Sequence, residues 1–219
     1  MGDTTRDVRI LLVERLIQQL GAQVKRRQYG SVKQTTKAER LLDEMASKTA
    51  TLRYCYMDAA DLAGFDDTLA IVELAPQVVG QLRDNRGVTD QQAAFLTFFA
   101  AVLGELPAAF EREDSLESAT PVAVGKVLTA DRAKGAKNLL SCRVEVFDTI
   151  VPIVTNLVDT RKGDLMKVAR VPPAEIMGML SAAQFVGKAA AGSSIGERPT
   201  LDDHDAREIR RAMGVLLDD

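Results

Sequence analysis

Histidine, cysteine and tryptophan are nearly missing from this chain: it has one histidine (His204), two cysteines (Cys55 and Cys142) and no tryptophan. Most familiar catalytic and metal-binding arrangements draw on imidazoles, thiolates or clustered carboxylates, so two of the three common ingredients are close to absent. Cys55 and Cys142 match no redox or zinc spacing and are expected as reduced core residues. Long apolar runs are lacking too. The stretch after Arg9 is interrupted by Glu14 and Arg15, which excludes a secretory signal, and no segment reaches the ~20 residues that a membrane span requires. Met1-Gly2 invites a myristoylation reading, but Arg6 stands where that motif needs Ser or Thr. The expectation is an intracellular, cytoplasmic protein that is not secreted. A net charge of −3 carries no global bias towards nucleic acid or membrane, so any basic site must be local.

Apolar residues at helical spacing fill much of what remains. Ile10, Val13, Ile17, Leu20 and Val24 share one helical face, with Thr4 and Asp7 placed as a capping box. Ala38, Leu42, Met45, Thr49, Leu52, Tyr56, Ala59 and Ala63 extend the same period until Gly64. A third helix is predicted from Asp67 or Thr68 towards Asn85, kinked or broken at Pro76. Thr89 and Gln92 cap a fourth, rich in Phe95, Phe98 and Phe99 and apolar around most of its circumference.

Glu111 to Thr120 reads as an acidic connector. It divides an N-terminal lobe (1–110) from a C-terminal lobe (121–219), although one continuous domain also suits the pattern. Beyond it, Leu140, Val144, Phe147, Val151, Val154 and Val158 line up as a helical face. The β-branched content of Val144 to Val154 would also suit a strand, but a run of nearly twenty residues favours helix. Another helix is predicted from Pro173 to Gly192 and a last one through Ala206, Ile209, Met213 and Leu216. The expected fold is therefore all-α, an irregular bundle of about seven to nine helices.

Each candidate for chemistry has a plainer explanation. His204 lies among Asp202, Asp203 and Asp205, which suits the first turn of a helix better than a metal site. Arg198 with His204 resembles the Arg-and-His pair of HEPN-type ribonucleases, from which Pro199 and the loop position depart. Asp66-Asp67 resembles the start of the prenyl-synthase aspartate motif, but Ala70 stands at the third aspartate. Glu39 and Asp43 lie one turn apart, like a metal pair of helical phosphate-regulator proteins, without a second pair. Gly187-Lys188 is followed by Ala189 where a P-loop needs Ser or Thr. No catalytic residue, metal or cofactor is assigned.

Charge distribution is the stronger lead. Lys25, Arg26, Arg27, Lys33, Lys37 and Arg40 accompany one acid, Glu39, and Tyr29 lies among them, placed to stack a base. Two further basic stretches are Arg132, Lys134, Lys137 and Arg143, and Arg161, Lys162, Lys167 and Arg170. The sequence supports a non-enzymatic interaction or scaffold protein that self-associates into a homo-oligomer. The alternatives are a protein that binds or coats nucleic acid through a basic groove, and a carboxylate-metal helical enzyme.

Overall fold

The structure, a computed structural model, describes residues 3–214 and 216; Met1-Gly2, and with it the myristoylation motif, lies outside them. The described chain divides into a helical unit up to Ala119, which Gly214 and Leu216 join, and a second unit from Thr120 to Met213. Among the described residues no helix is long and apolar enough to cross a membrane.

In the first unit the helical period reads through to structure. It contains α1 (Val8–Lys25), α2 (Val32–Tyr54), α3 (Ala59–Ala63), α4 (Asp66–Arg83), α5 (Asp90–Gly104), α6 (Leu106–Phe110) and α7 (Leu116–Ala119). All five apolar residues expected on the first helical face are buried, as are Phe95, Phe98 and Phe99. Thr89 and Gln92 form the predicted reciprocal cap. Pro76 lies on the exposed side of α4, which continues through it, so the helix is not divided there.

Two boundaries differ from expectation for one shared reason. Thr4 does not cap α1. Its hydroxyl donates to the Arg53 carbonyl at 2.9 Å and accepts the Tyr56 amide at 3.2 Å, sealing the end of α2 where the chain turns with Tyr56 at φ +54°. Asp7 caps α1 instead, accepting from the Arg9 and Ile10 amides. Its carboxylate also pairs with the buried Arg9 guanidinium, which donates to the Ala109 and Arg112 carbonyls and lies 5.1 Å from the Phe110 ring centroid. A buried charge persists only when paired and hydrogen-bonded in this way.

The second unit overturns the all-α expectation. It consists of β1 (Val122–Arg132), β2 (Leu140–Val146), β3 (Thr149–Thr155), β4 (Leu165–Ala169), β5 (Ala174–Ile176), β6 (Met179–Ser181), β7 (Gln184–Lys188) and one helix, α8 (Asp203–Gly214). The protein is therefore mixed α and β. The apolar run from Leu140 to Val158 is not one helix but two strands folded at Phe147-Asp148, whose φ angles of +53° and +55° form the tight turn that strand twist favours. Burial alternates strictly along β2, the period of a strand with one buried face. The helix expected from Pro173 is likewise replaced, by the β5–β6 hairpin and β7.

Five strands form an antiparallel sheet in the order β3-β2-β1-β4-β7. Its two ends meet. The Ala182 amide donates to the Pro152 carbonyl at 2.9 Å, and the Val154 amide to the Ser181 hydroxyl at 3.0 Å. The sheet thus curls into a barrel filled by residues such as Val127, Cys142, Val144, Ile153, Val168 and Phe185. A Cβ on Gly125 would lie 2.8 Å from Val144 and 3.0 Å from Val146 and Val168, so only glycine fits at this inward position.

α8 is fastened to the barrel through one carboxylate. Asp205, nearly buried, pairs with Lys167 of β4 and accepts the Asp202 amide at 3.0 Å. Gly187 of β7 sits opposite Lys167, and a Cβ there would collide with the Asp205 carboxylate.

This packing has measurable consequences. Asp205→Ala leaves Lys167 without its partner and should lower the unfolding free energy, measured by urea titration, by about 3–5 kcal/mol. Gly187→Ala should destabilise the native background but cost almost nothing beside Asp205→Ala, because the obstructing carboxylate is gone. In the barrel interior, burial and the nearby Asp131 charge push the Cys142 thiol up to about 11. Under native conditions near neutral pH a thiol reagent should therefore modify Cys55 and spare Cys142, which reacts only after denaturation.

Candidate nucleic-acid interface

Sequence-predicted site residues in the helical unit gather at the turn between α1 and α2. Lys25, Arg26, Lys33, Lys37 and Arg40 are exposed there. Arg27 sits at φ +64° just past the end of α1, paired with Glu39 at 3.2 Å. Tyr29 departs from the role expected of it. Its ring is fully buried, its hydroxyl donates to Gln23 at 3.1 Å, and burial holds its ionisation well above the ordinary tyrosine range. No face of the ring is open to a base. The cluster that remains is cationic but has no stacking element.

The barrel organises the second basic stretch more tightly. A meander β1-β2-β3, with β4 returning beside β1, β7 beside β4, and Ser181-Ala182 just ahead of β7 bonded to β3, is the Greek-key order of an OB-fold. In that fold, ligands cross the outward face of the second and third strands, between the β1–β2 connection and the connection preceding the last strand. Here the β1–β2 connection, residues 133–139, carries exposed Lys134 and Lys137 around Gly135, which turns at φ +82°. The Ala133 amide donates to the Leu139 carbonyl at 2.9 Å and holds the loop closed at its base. Arg132 ends β1, and Arg143 projects outward from β2, facing Thr129 of β1 and Pro152 of β3 in register. None of these four cations is in an ion pair among the described residues. Two acids, Asp131 and Glu145, share the outer surface, so the basic character is concentrated at Arg143 and the loop.

On the other side of β3 stands the β5–β6 hairpin. Its tip, Met177-Gly178, has two positive φ angles, +52° and +77°, and Met177 is 60% exposed. Aromatic rings are scarce on this unit. Phe185 is buried inside the barrel, and Phe147 is half-buried beneath the Arg170 guanidinium, 4.3 Å from its ring centroid. Base stacking on aromatic platforms is therefore not available on the described barrel surface, and a polyanion would be held there by charge and backbone.

The third basic stretch is dispersed. Arg161 and Lys162 are exposed between β3 and β4, Lys167 is committed to Asp205, and burial lowers the pKa of Arg170.

His204 lies in a helix cap. Asp202 accepts the His204 and Asp205 amides, both at 2.9 Å, while Asp205 accepts the Asp202 amide in return. The Asp205 amide bond is the first of the interactions that hold the Asp202 carboxyl below its ordinary value. Asp202, His204 and Asp205 do bring potential ligand atoms within 4.8 Å of one another. Asp205 is nevertheless committed to Lys167 and the helix start, which explains the cluster without an ion. In each of the other two carboxylate pairs one member is similarly occupied. Glu39 accepts from Arg27 and Thr35, and Asp67 from Lys48 at 3.1 Å. Arg198, the partner of His204 in the ribonuclease resemblance, donates to the Thr120 carbonyl from a loop. Gly187-Lys188 belongs to a strand, not to a phosphate loop.

The barrel face was hidden in the sequence by an ambiguous period. Arg143 sits between buried Cys142 and Val144, and reading Leu140 to Val146 at a period of two would have turned Arg143 outward beside the 132–137 cations.

Comparison with known proteins adds little to this geometry. A family described as "Alpha helical domain" matches residues 1–100, close to the helical unit and under half of the chain. No curated protein matches. Among solved structures, one described as a MetRS related protein from Pyrococcus horikoshii is similar over 38% of this chain and 83% of its own, at 19% identity and a TM-score of 0.30. A score of that size carries no conclusion about fold or activity, and the barrel assignment rests on strand order and on the bonds from Ser181 and Ala182 to β3.

Proposed function

We propose that this protein is a non-enzymatic nucleic-acid-binding protein whose barrel unit holds a polynucleotide across the outward face of β2 and β3. The observation that carries the reading is the coincidence of barrel topology and charge. Arg143, Lys134 and Lys137, in no ion pair among the described residues, stand along the route that OB-folds use for oligonucleotides. Phosphate neutralisation by such cations supplies most of the affinity in sequence-independent binding, and it works on a protein of mildly acidic net charge provided the cations are local. Met177, at the hairpin tip, offers a flexible apolar side chain to an unstacked base in place of an aromatic ring. Glu39, Asp67 and Asp205, three of the carboxylates that the sequence offers for chemistry, are each held in an ion pair, which favours binding over turnover. An intracellular location agrees with two free cysteines.

Fluorescence anisotropy with labelled single-stranded and duplex oligonucleotides across a salt series tests this. Binding should weaken steeply with salt. In the triple variant Lys134→Ala/Lys137→Ala/Arg143→Ala the slope of log K against log salt should shrink by about 2 for a single strand, ~0.7 for each phosphate no longer neutralised. Lys25→Ala/Arg26→Ala should leave that slope unchanged. Salt-independent or absent binding by the full chain rejects the function, whereas binding that ignores the triple variant rejects the face.

A further inference from the structure

Two arginines are buried among the described residues, Arg9 and Arg170, and their surroundings are opposite. Arg9 is engaged by the Asp7 carboxylate and by the Ala109 and Arg112 carbonyls. Arg170, only 5% exposed, has neither a carboxylate nor a hydrogen-bond acceptor for its side chain among the described residues. Its Nε is sealed from solvent without a partner, whereas the two terminal nitrogens are not among the sealed atoms. Arg170 follows β4, and its backbone amide donates to the Pro121 carbonyl at 2.9 Å. At the two-residue period it continues the inward row of Met166 and Val168, which carries the guanidinium over one end of the barrel. There it lies 4.3 Å from the Phe147 ring centroid. The ring is held in place at a conformational cost, because Phe147 and Asp148 both occupy the left-handed region in a turn that Asn and Gly suit best. A cation buried without counter-charge is unfavourable, and the ring offsets only part of that penalty. Desolvation lowers the Arg170 pKa without an opposing carboxylate.

We propose that Arg170 is the receptor for a phosphate group at this end of the barrel, its terminal nitrogens donating to two phosphate oxygens while the Phe147 ring steadies the guanidinium. A bound phosphate supplies the missing counter-charge and the missing acceptors together. The choice of phosphate over another oxyanion rests on the polynucleotide reading above. Arg170 opens the connection that leads to β7, and that connection borders the OB-fold ligand route at the end away from Lys134 and Lys137. The seven residues of β2 separate the two ends by about 20 Å at 3.3 Å per residue. A plainer role, an arginine that plugs an apolar barrel end, makes the opposite prediction for its removal.

Thermal unfolding of the full chain, with inorganic phosphate replacing chloride at constant ionic strength, tests the site. The wild-type Tm should rise saturably with phosphate and by more than that of Arg170→Met, whose small linear rise reports general salt effects. In chloride alone Arg170→Met should unfold at or above the wild-type Tm, because an apolar chain replaces an unpaired buried charge, whereas loss of a plug would lower it. Arg170→Lys keeps the charge without the planar fork, and should fold normally while losing most of the saturable rise. Fluorescence anisotropy with a single-stranded oligonucleotide then separates the sources of phosphate. If a polynucleotide supplies it, Arg170→Met weakens binding by about tenfold, as for one lost charge-assisted hydrogen bond, and inorganic phosphate competes. If a small ion supplies it, oligonucleotide binding is unchanged and only the Tm response is lost. The site is overturned if wild type and Arg170→Met respond alike to phosphate, or if Arg170→Met melts well below the wild type in chloride. A chain that binds no oligonucleotide but keeps an Arg170-dependent phosphate response rejects the polynucleotide reading and leaves this site standing.

Discussion

The barrel depends on how little room there is beside β1. This strand, the longest in the sheet, is hydrogen-bonded to β2 along one edge and to β4 along the other, and it points Gly125 inward against three valines. A narrow barrel closes only if some inward positions are nearly empty. With Gly125 in place, β2 and β4 can converge, the sheet can curl, and the Ser181–Ala183 segment can reach β3 to close the seam. The outward position of Arg143, and hence the charge pattern of the candidate interface, follows from that closure.

Charged residues at structural positions explain why so few of the chemical candidates survive. Asp205 joins a helix start to two strands, Asp7 caps a helix while neutralising a buried arginine, and Glu39 holds the α1–α2 turn. Such side chains look reactive in sequence because they are charged and clustered. In the folded chain each already has a cation or an amide in hand, and a group engaged in this way has little capacity left for a substrate or a metal. The cations with no such duty, at the β1–β2 loop and along α2, are for the same reason the ones available to partners.

Two kinds of basic surface therefore coexist, and their settings differ. On the barrel, Lys134, Lys137 and Arg143 border an outward sheet face and a loop, an open route for an extended polyanion. On α2, exposed Lys33, Lys37 and Arg40 are followed within a turn by exposed Asp43 and Glu44, which interrupt the basic run. Net charge hides both, since acids elsewhere in the chain cancel them.

The helical unit was legible because its evidence is local. Ile10 to Val24, Thr89 with Gln92, and the buried phenylalanines of α5 announce themselves through a 3.6-residue period and capping chemistry, which need no knowledge of distant residues. The boundaries at Thr4 and Tyr56 were not legible, because Thr4 bonds to residues about fifty positions away. The strands after Thr120 were lost for a related reason. Val144 to Val154 satisfies either period in isolation, and no Asn-Gly or Asp-Gly marks the turn at Phe147-Asp148. Composition and local period by themselves determined a chain poor in catalytic side chains, with a helical N-terminal half and cations in three stretches. Only the tertiary structure decided that the second half is a barrel, that Tyr29 is core, and which of the cations are held in ion pairs. Strand pairing, burial and ion pairing are contacts between residues far apart in sequence, and their energies exist only once the chain has brought those residues together.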